Sequence, residues 1–514
     1  MKPAIGTRLV TAVFALVAAC SASHRSNSSM TGDGNAGADT APQPDMCHVQ
    51  DNMNGVPHCT AQAPPDSFDP VIQWTWTGSN EPYSIVTPLV ANLTDDNGDG
   101  SIDLCDTPDV VVVASAISGG DPGHIYLLDG KTGAEELMIP TAVDSTVTPA
   151  LGDIDHDGIP DIVTVDPSGH LYAFDHAGNV IFGPASQWAG TVLAGTPAWY
   201  SSAIALADLD HDGNVEIIGG NTVWDDHGNI LWTASAQQAN WNATAVADLD
   251  GDGYLEVVLG NAAYHHDGTL YWQTTLNAGY PQIANLDSDP EPEVLLTNQD
   301  GIALIDNDGT VKYSGKTPTG DPVGGTTWLR PATVHDFDGN GVADFAMSSA
   351  NNYTTYNQNA TIRWMAPVSD QSGIAAGTAF DFLGNGHAEA MYADEQSMYV
   401  FGEQGQVLFQ IPRTSGTLTE YPVVADIDND GSAEIVVVSN RFGSMPSPTV
   451  QVIRDRMDRW IQARRIWNEH TYHVTNVRED GTIPQFEQPS WSQLNTFRTN
   501  AQINGGGVCS PVIL

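Results

Sequence analysis

Basic residues are the scarcest chemistry in this chain: 17 Lys and Arg face 63 Asp and Glu in 514 residues, a formal charge of −46. A surface of that sign repels phosphate, which excludes nucleic acid and anionic lipid surfaces as partners. Long apolar runs are missing too. The stretch from Leu9 to Ala19 is eleven residues, too short for a permanent membrane-spanning helix. Several enzyme signatures are absent as well. There is no G-x-S-x-G, and His470 and His473 lack both the H-E-x-x-H pattern and an acidic partner at helical spacing. Gly130-Lys131-Thr132 ends like a phosphate loop, but Ile125 stands where its first glycine belongs, so the segment reads as a turn. Cysteine is limited to five residues.

What abounds is carboxylate at a fixed spacing. Eight times between Asp95 and Glu434 the chain repeats D-x-D-x-D-G-x-x-D/E, or a near variant, followed by branched apolar residues. Four copies are complete: Asp153, Asp155, Asp157 and Asp161; Asp208, Asp210, Asp212 and Glu216; Asp248, Asp250, Asp252 and Glu256; and Asp426, Asp428, Asp430 and Glu434. Acids at positions 1, 3 and 5 turn toward one centre, the glycine at 6 bends the chain, position 7 offers a carbonyl and the acid at 9 closes the shell. Oxygen-only ligation selects calcium. Asp95, Asn97, Asp99 and Asp103, with Asp106 and Asp109 nearby, fit equally well, as do Asp336, Asp338, Asn340 and Asp344. Asn285, Asp287, Asp289 and Glu293 keep the oxygens, but Pro290 replaces the turning glycine. Asp381, Asn385 and Glu389 flank Leu383, where a ligand is needed. Those two loops are expected to be weak or empty, so the count is six to eight calcium ions.

An EF-hand would need flanking helices and a glutamate at position 12. These loops run instead into Ile162-Val163-Thr164-Val165, Val257-Val258-Leu259 and Ile435-Val436-Val437-Val438, short β-branched runs that read as strands. The loops recur every 37 to 58 residues, the period of propeller blades. A D-x-x-G turn follows most loops by about twenty residues, as in FDHAGNVIF from Phe174, WDDHGNILW from Trp224 and YHHDGTLYW from Tyr264, and marks a tight hairpin. One unit is therefore strand, loop, strand, strand, hairpin, strand. After the eighth loop, Glu434–Ser439 and Thr449–Ile453 supply two strands and no fourth. Val71 to Trp76 resembles a fourth strand and precedes the first loop, so it is expected to complete the last blade.

This arrangement resembles the FG-GAP/VCBS repeat family, which includes the integrin α-subunit head and bacterial surface proteins. The likeness spans roughly residues 71–455, and its motif is the calcium loop. It implies an all-β, calcium-bearing propeller. Integrin heads have seven blades; eight loops and a closing strand point here to eight, with seven as the alternative.

Lys2, Arg8 and the apolar stretch read as a signal peptide, and Val17-Ala18-Ala19-Cys20 resembles a bacterial lipobox. That likeness implies an acylated Cys20 and, because Ser21 is not aspartate, an outer-membrane lipoprotein facing the periplasm or the exterior. Cleavage near Ala19 or Ala22 is the alternative. The expected layout is signal peptide 1–19, flexible tether 20–68, propeller 69–455 and tail 456–514. The four other cysteines suggest two disulfides, with Cys47–Cys59 and Cys105–Cys509 one of three pairings. Eight calcium ions would bring the charge from −46 to −30, giving the metal a structural role.

Seven of the 17 basic residues lie between Arg454 and Arg498, beside Trp460, Trp467, His470, Tyr472, His473 and Trp491. The tail is read as a plug on the acidic ring, its arginines pairing blade carboxylates; the alternative is a ligand site gripping a carboxylate or sulfate. Trp232, Trp272 and Trp364 are expected in the inter-blade core. No catalytic residue is assigned. The expected function is a surface binding or adhesion module for a protein or glycan. The alternative is a polysaccharide lyase, because some rhamnogalacturonan lyases use a calcium-bearing eight-bladed propeller, an analogy of fold alone.

Overall fold

The computed structural model describes residues 47–49, 61–64, 66–117, 122–188, 196–236, 243–318, 329–440, 447–504 and 507–509. The signal peptide, Cys20 and most of the tether fall outside the described residues.

Eight four-stranded antiparallel sheets form the blades of a propeller. The first strands, among them Ala150–Gly152, Ala245–Ala247 and Thr333–His335, are fully buried, and those of successive blades are neighbours. Fourth strands such as Ile230–Thr233 and Val407–Pro412 carry the exposed residues of an outer edge. Seven sheets use consecutive strands. The eighth takes Val423–Ala425, Glu434–Val438 and Val450–Asp455 from the end of the repeats and Pro70–Trp76 from their start. Pro70 pairs with Asp455 and Trp76 with Val450. The count is eight, because the irregular repeats at Asn285 and Asp381 still form complete sheets.

Aromatic contacts join blade to blade. Trp232 Nε1 donates to His266 O at 2.9 Å, and Trp272 Nε1 to Asn307 O at 2.8 Å, in each case in the hairpin of the following blade. A Cβ on Gly268, Gly309 or Gly405 would come within 2.7, 2.8 and 2.6 Å of Trp232, Trp272 and Trp364, respectively. Those glycines have φ of 80°, 86° and 76°, so both the turn and the approach of the ring require them. Trp74 Nε1 donates to Gly130 O at 2.6 Å, carrying the same contact from the last blade to the first.

Beyond Asp455 the chain folds back against the first strands. Trp467 bridges Val90, Leu151 N donates to Asn468 O, Phe497 pairs with Val334, Thr378 Oγ1 donates to Arg498 O and Asn500 Nδ2 to Val424 O. The tail thus meets blades one, two, six, seven and eight. Its arginines divide: Arg456 pairs with Asp69 and Arg459 with Asp455 of blade eight, both at 2.8 Å. Arg465 pairs with Glu479 of the tail itself at 2.7 Å, and Arg464 donates to the carbonyls of Val474 and Val477. Arg465 also donates to Leu104 O at 2.6 Å and to Asn429 Oδ1 at 3.2 Å in the blade loops, so it ties the tail to the ring.

The disulfide joins Cys47 to Cys105, not to Cys59. Leu104 N donates to Cys47 O at 3.0 Å, so the segment after the first acidic loop meets residue 47. Cys59 and the Cys509 side chain lie outside the described residues.

Candidate metal centres

In every blade the second strand opens on an acid: Asp109, Asp161, Glu216, Glu256, Glu293, Asp344, Glu389 and Glu434. In the complete loops this acid accepts the N–H of loop position 2. Asp161 takes it from Ile154 at 3.0 Å, Glu216 from Leu209 and Glu256 from Leu249 at 2.8 Å, and Glu434 from Ile427 at 3.0 Å. The position 1 acid accepts the N–H of the position 6 glycine: Asp153 from Gly158, Asp208 from Gly213, Asp248 from Gly253 and Asp426 from Gly431, all at 2.9 to 3.1 Å. Position 4 is left-handed as well, with φ of 64° at His156, 66° at His211 and 55° at Asn429. That second requirement, met by His, Asn or Gly, was not read from the sequence pattern.

These bonds engage one oxygen of each acid. The second oxygen also accepts a bond in Asp248, from Gly251 N, and in Asp426, from Asp430 N, but others have none. Asp153 Oδ1, Asp208 Oδ1, Asp428 Oδ1 and Glu434 Oε1 are buried with no hydrogen-bond partner. Oxygens of Asp153, Asp155 and Asp161 lie within 4.8 Å of one another. Burial without compensation raises Asp161, Glu216 and Asp426 each to about 8, and Glu434 well above its usual range. Converging buried oxygens of this kind fit a hard divalent cation, and the four complete loops could hold one each.

The first loop departs from the pattern. Its first strand ends at Ala91, so Asn92 occupies the position that Asp153 has in blade two. Leu93 N donates to Asp109 at 2.9 Å, which makes Asp109 the closing acid. Asp103, expected in that role, instead accepts the N–H of Cys105 at 2.8 Å. Asp95, Asn97 and Asp99 form an outer turn in which Asp95 accepts Gly100 N at 2.9 Å and Asp106 accepts Asn97 N at 3.1 Å. The extra residues between loop and strand move the pattern outward. The signal was present in the strand-opening acid.

In two loops a side-chain cation stands among the acids. Lys312 Nζ contacts Asp287, Glu293 and Asp306. Burial raises Asp287, but the Lys312 bond outweighs it and brings the carboxyl down to about 2. Arg363 contacts Asp338 and lies 2.7 Å from Asp344 Oδ2. The Asp336 loop was expected to match the complete ones; its acids already face a guanidinium. Lys312 and Arg363 both stand second in a fourth strand, Val311–Lys316 and Ile362–Pro367. The same register holds Ile181, Leu231 and Leu408 in other blades and Tyr271 beside the Asp248 loop. Within that loop His265 Nδ1 lies 2.9 Å from Glu256 Oε1. The Asp381 loop is covered by neighbouring chain: Ala63 N donates to Leu383 O and Gln502 Nε2 to Asp381 O. Its Glu389 is raised by burial to about 8.

Residues 153–219 match the FG-GAP-like repeat and residues 240–271 the FG-GAP repeat. No curated protein matches the chain in sequence. Among solved structures, the V. cholerae biofilm matrix protein Bap1 is similar with a TM-score of 0.72 and 21% identity, over 87% of this chain and 100% of that one. The exotype rhamnogalacturonan lyase YesX has a TM-score of 0.53 and 14% identity, over 88% of this chain and 84% of its own. A rhamnogalacturonan lyase of Bacillus licheniformis has 0.51 and 16%, over 87% and 84%. At these identities the likeness is one of fold. Two segments of a ring of eight like blades thus match FG-GAP repeats.

Proposed function

We propose that this chain is an exported, calcium-stabilised propeller that acts as a glycan-binding adhesion module, tethered through an acylated Cys20. The observation that carries the reading is an aromatic ledge beside the third and fourth acidic loops. Tyr254, at position 7 of the fourth loop, lies between His211 at 5.1 Å and His266 at 4.5 Å, and His211 in turn meets Phe486 of the tail at 4.7 Å. Phe486 is 59% exposed and Tyr254 39%. Phe486, the exposed end of this row, offers a flat apolar face on which a sugar can stack, and the stacked Tyr254 and His211 hold it in place. Calcium in the Asp208 and Asp248 loops would hold His211 and Tyr254 in register.

The fold neighbours include a biofilm matrix protein and rhamnogalacturonan lyases, so both roles occur on this ring. Burial favours binding over cleavage. A lyase needs a base that reaches a uronate, whereas His470, Tyr472, Arg464 and Arg498 are buried between tail and ring, and His473 is held by Glu487 at 2.7 Å.

The test is a glycan array probed with the calcium-loaded protein, with and without chelator, alongside F486A and Y254A. Calcium-dependent binding to a defined sugar, reduced at least tenfold in F486A, is expected. Binding that ignores both substitutions refutes the ledge, and silence across the array refutes the glycan reading. Release of unsaturated uronate from a bound polysaccharide would establish the lyase instead. Incorporation of labelled palmitate that survives C20A would refute the anchor.

A further inference from the structure

Three buried arginines each pair with a carboxylate, while Arg464 spends its donors on the carbonyls of Val474 and Val477. Arg330 pairs with Asp370 at 3.2 Å, Arg413 with Glu420 at 3.0 Å and Arg465 with Glu479 at 2.7 Å. Arg498 is fully buried and has no such partner. Its Nη1 donates to Ala332 O at 2.8 Å and its guanidinium lies 5.0 Å from the Phe497 ring centre, but Nε and Nη2 have no acceptor. Burial alone pulls Arg498 down to about 10, and no carboxylate offsets it.

Other unanswered groups lie in the same neighbourhood. His470 is fully buried, and neither ring nitrogen has a partner. Its ring stacks on Tyr280 at 6.2 Å, and the Tyr280 hydroxyl is likewise buried and unpartnered. The Arg498 charge acts on both residues, lowering His470 well below its usual range after burial has already done so. Tyr421 is nearby, its hydroxyl donating to His470 O at 2.6 Å while its oxygen also faces the Arg498 guanidinium. Tyr280 belongs to the first strand of blade five, Gly279–Ala284; Ala332 directly precedes that of blade six; and His470 and Arg498 come from the tail. The cluster therefore lies where tail and ring meet.

A buried guanidinium with two idle donors destabilises the fold unless an anion answers it. The neighbouring groups are a hydroxyl and an imidazole kept neutral, which can donate through one nitrogen. We propose that the junction of tail and ring holds one chloride-sized anion, bound by Arg498 Nε and Nη2 with the Tyr280 hydroxyl and a His470 ring N–H. The overall charge of −46 does not forbid this, because distant exposed acids are screened beyond about 8 Å at physiological salt, whereas the guanidinium makes contact. The anion would stitch the tail to blades five and six.

Crystals of the full chain with its calcium, soaked in bromide, test this directly. An anomalous peak within hydrogen-bonding distance of Arg498 and Tyr280 is expected, and water alone at that position overturns the proposal. In solution, melting at fixed calcium and ionic strength should rise saturably when methanesulfonate is replaced by chloride. Y280F should weaken the apparent halide affinity about tenfold, and R498M should abolish the response. If R498M fails to fold, Y280F and the bromide map still decide. Melting that ignores the choice of anion, together with an empty map, sinks the idea whatever the fate of the glycan reading.

Discussion

Removing calcium should cost this propeller a large part of its stability, and the loops allow the size to be worked out. Four complete loops, at Asp153, Asp208, Asp248 and Asp426, and the outer turn at Asp95 carry no lysine or arginine among their acids. Extracellular modules of this kind bind calcium with Kd about 10⁻⁴ M. At about 10 mM calcium each site then stabilises the folded state by about 2.7 kcal/mol, or about 13 kcal/mol for five. Unfolding the roughly 420 described residues carries an entropy near 0.9 kcal/mol/K, so saturating chelator should lower Tm by about 14 °C. The unpartnered Glu434 Oε1 and Asp153 Oδ1 are the structural reason, since without a cation they are buried acids with nothing to answer them. The assay is differential scanning calorimetry in calcium and in EGTA, with bound metal counted by mass spectrometry. A shift under about 3 °C, or one calcium or fewer per chain, would refute the reasoning.

Substituting Lys312→Met or Arg363→Met should each raise the calcium count by one, because each removes a charge that competes for the loop; an unchanged count means those loops do not bind for another reason. Conversely, Leu231→Lys should displace calcium from the Asp208 loop, read as one ion fewer. Asp109→Asn should lower Tm by more than Asp103→Asn, since Asp109 closes the first loop and Asp103 only caps Cys105; equal effects would restore the sequence-based assignment. Gly268→Ala should destabilise by about 1–3 kcal/mol in urea unfolding, from a Cβ 2.7 Å from Trp232 and a φ of 80°, whereas Gly315→Ala, also at positive φ but with open space, should cost less.

The four complete loops and their strands were legible because each is specified within nine consecutive residues. A position 1 acid bonds the position 6 N–H and a position 9 acid bonds the position 2 N–H, so the spacing alone sets the turn. Ring closure was legible for a related reason. The last repeat lacked a fourth strand, and one apolar strand, Pro70–Trp76, stood unassigned before the first loop. The tryptophans ending fourth strands pointed to inter-blade packing, but their demand for a glycine in the next blade follows only from the approach of one ring to one turn.

What escaped the pattern depends on distance along the chain. The path of the tail is set by where apolar first strands admit it, and the disulfide by an insertion that shifts Cys105 toward Cys47. The cations inside two loops lie 25 residues or more from position 3 of those loops, Lys312 from Asp287 and Arg363 from Asp338, beyond any local motif. Yet their register is regular. Lys312, Tyr271, Leu231 and Ile181 each stand three residues after the hairpin glycine, and Arg363 three after Ala360, which adopts the same positive φ of 55°. The first hairpin obeys the same spacing, Gly133 to Glu136, and there an oxygen of Glu136 approaches Asp96 and Asp129. A blade thus appends one further position to its loop, supplied by the fourth strand: an apolar residue would leave the loop open to a cation, a base stands among the acids itself, and an acid enlarges the donor set.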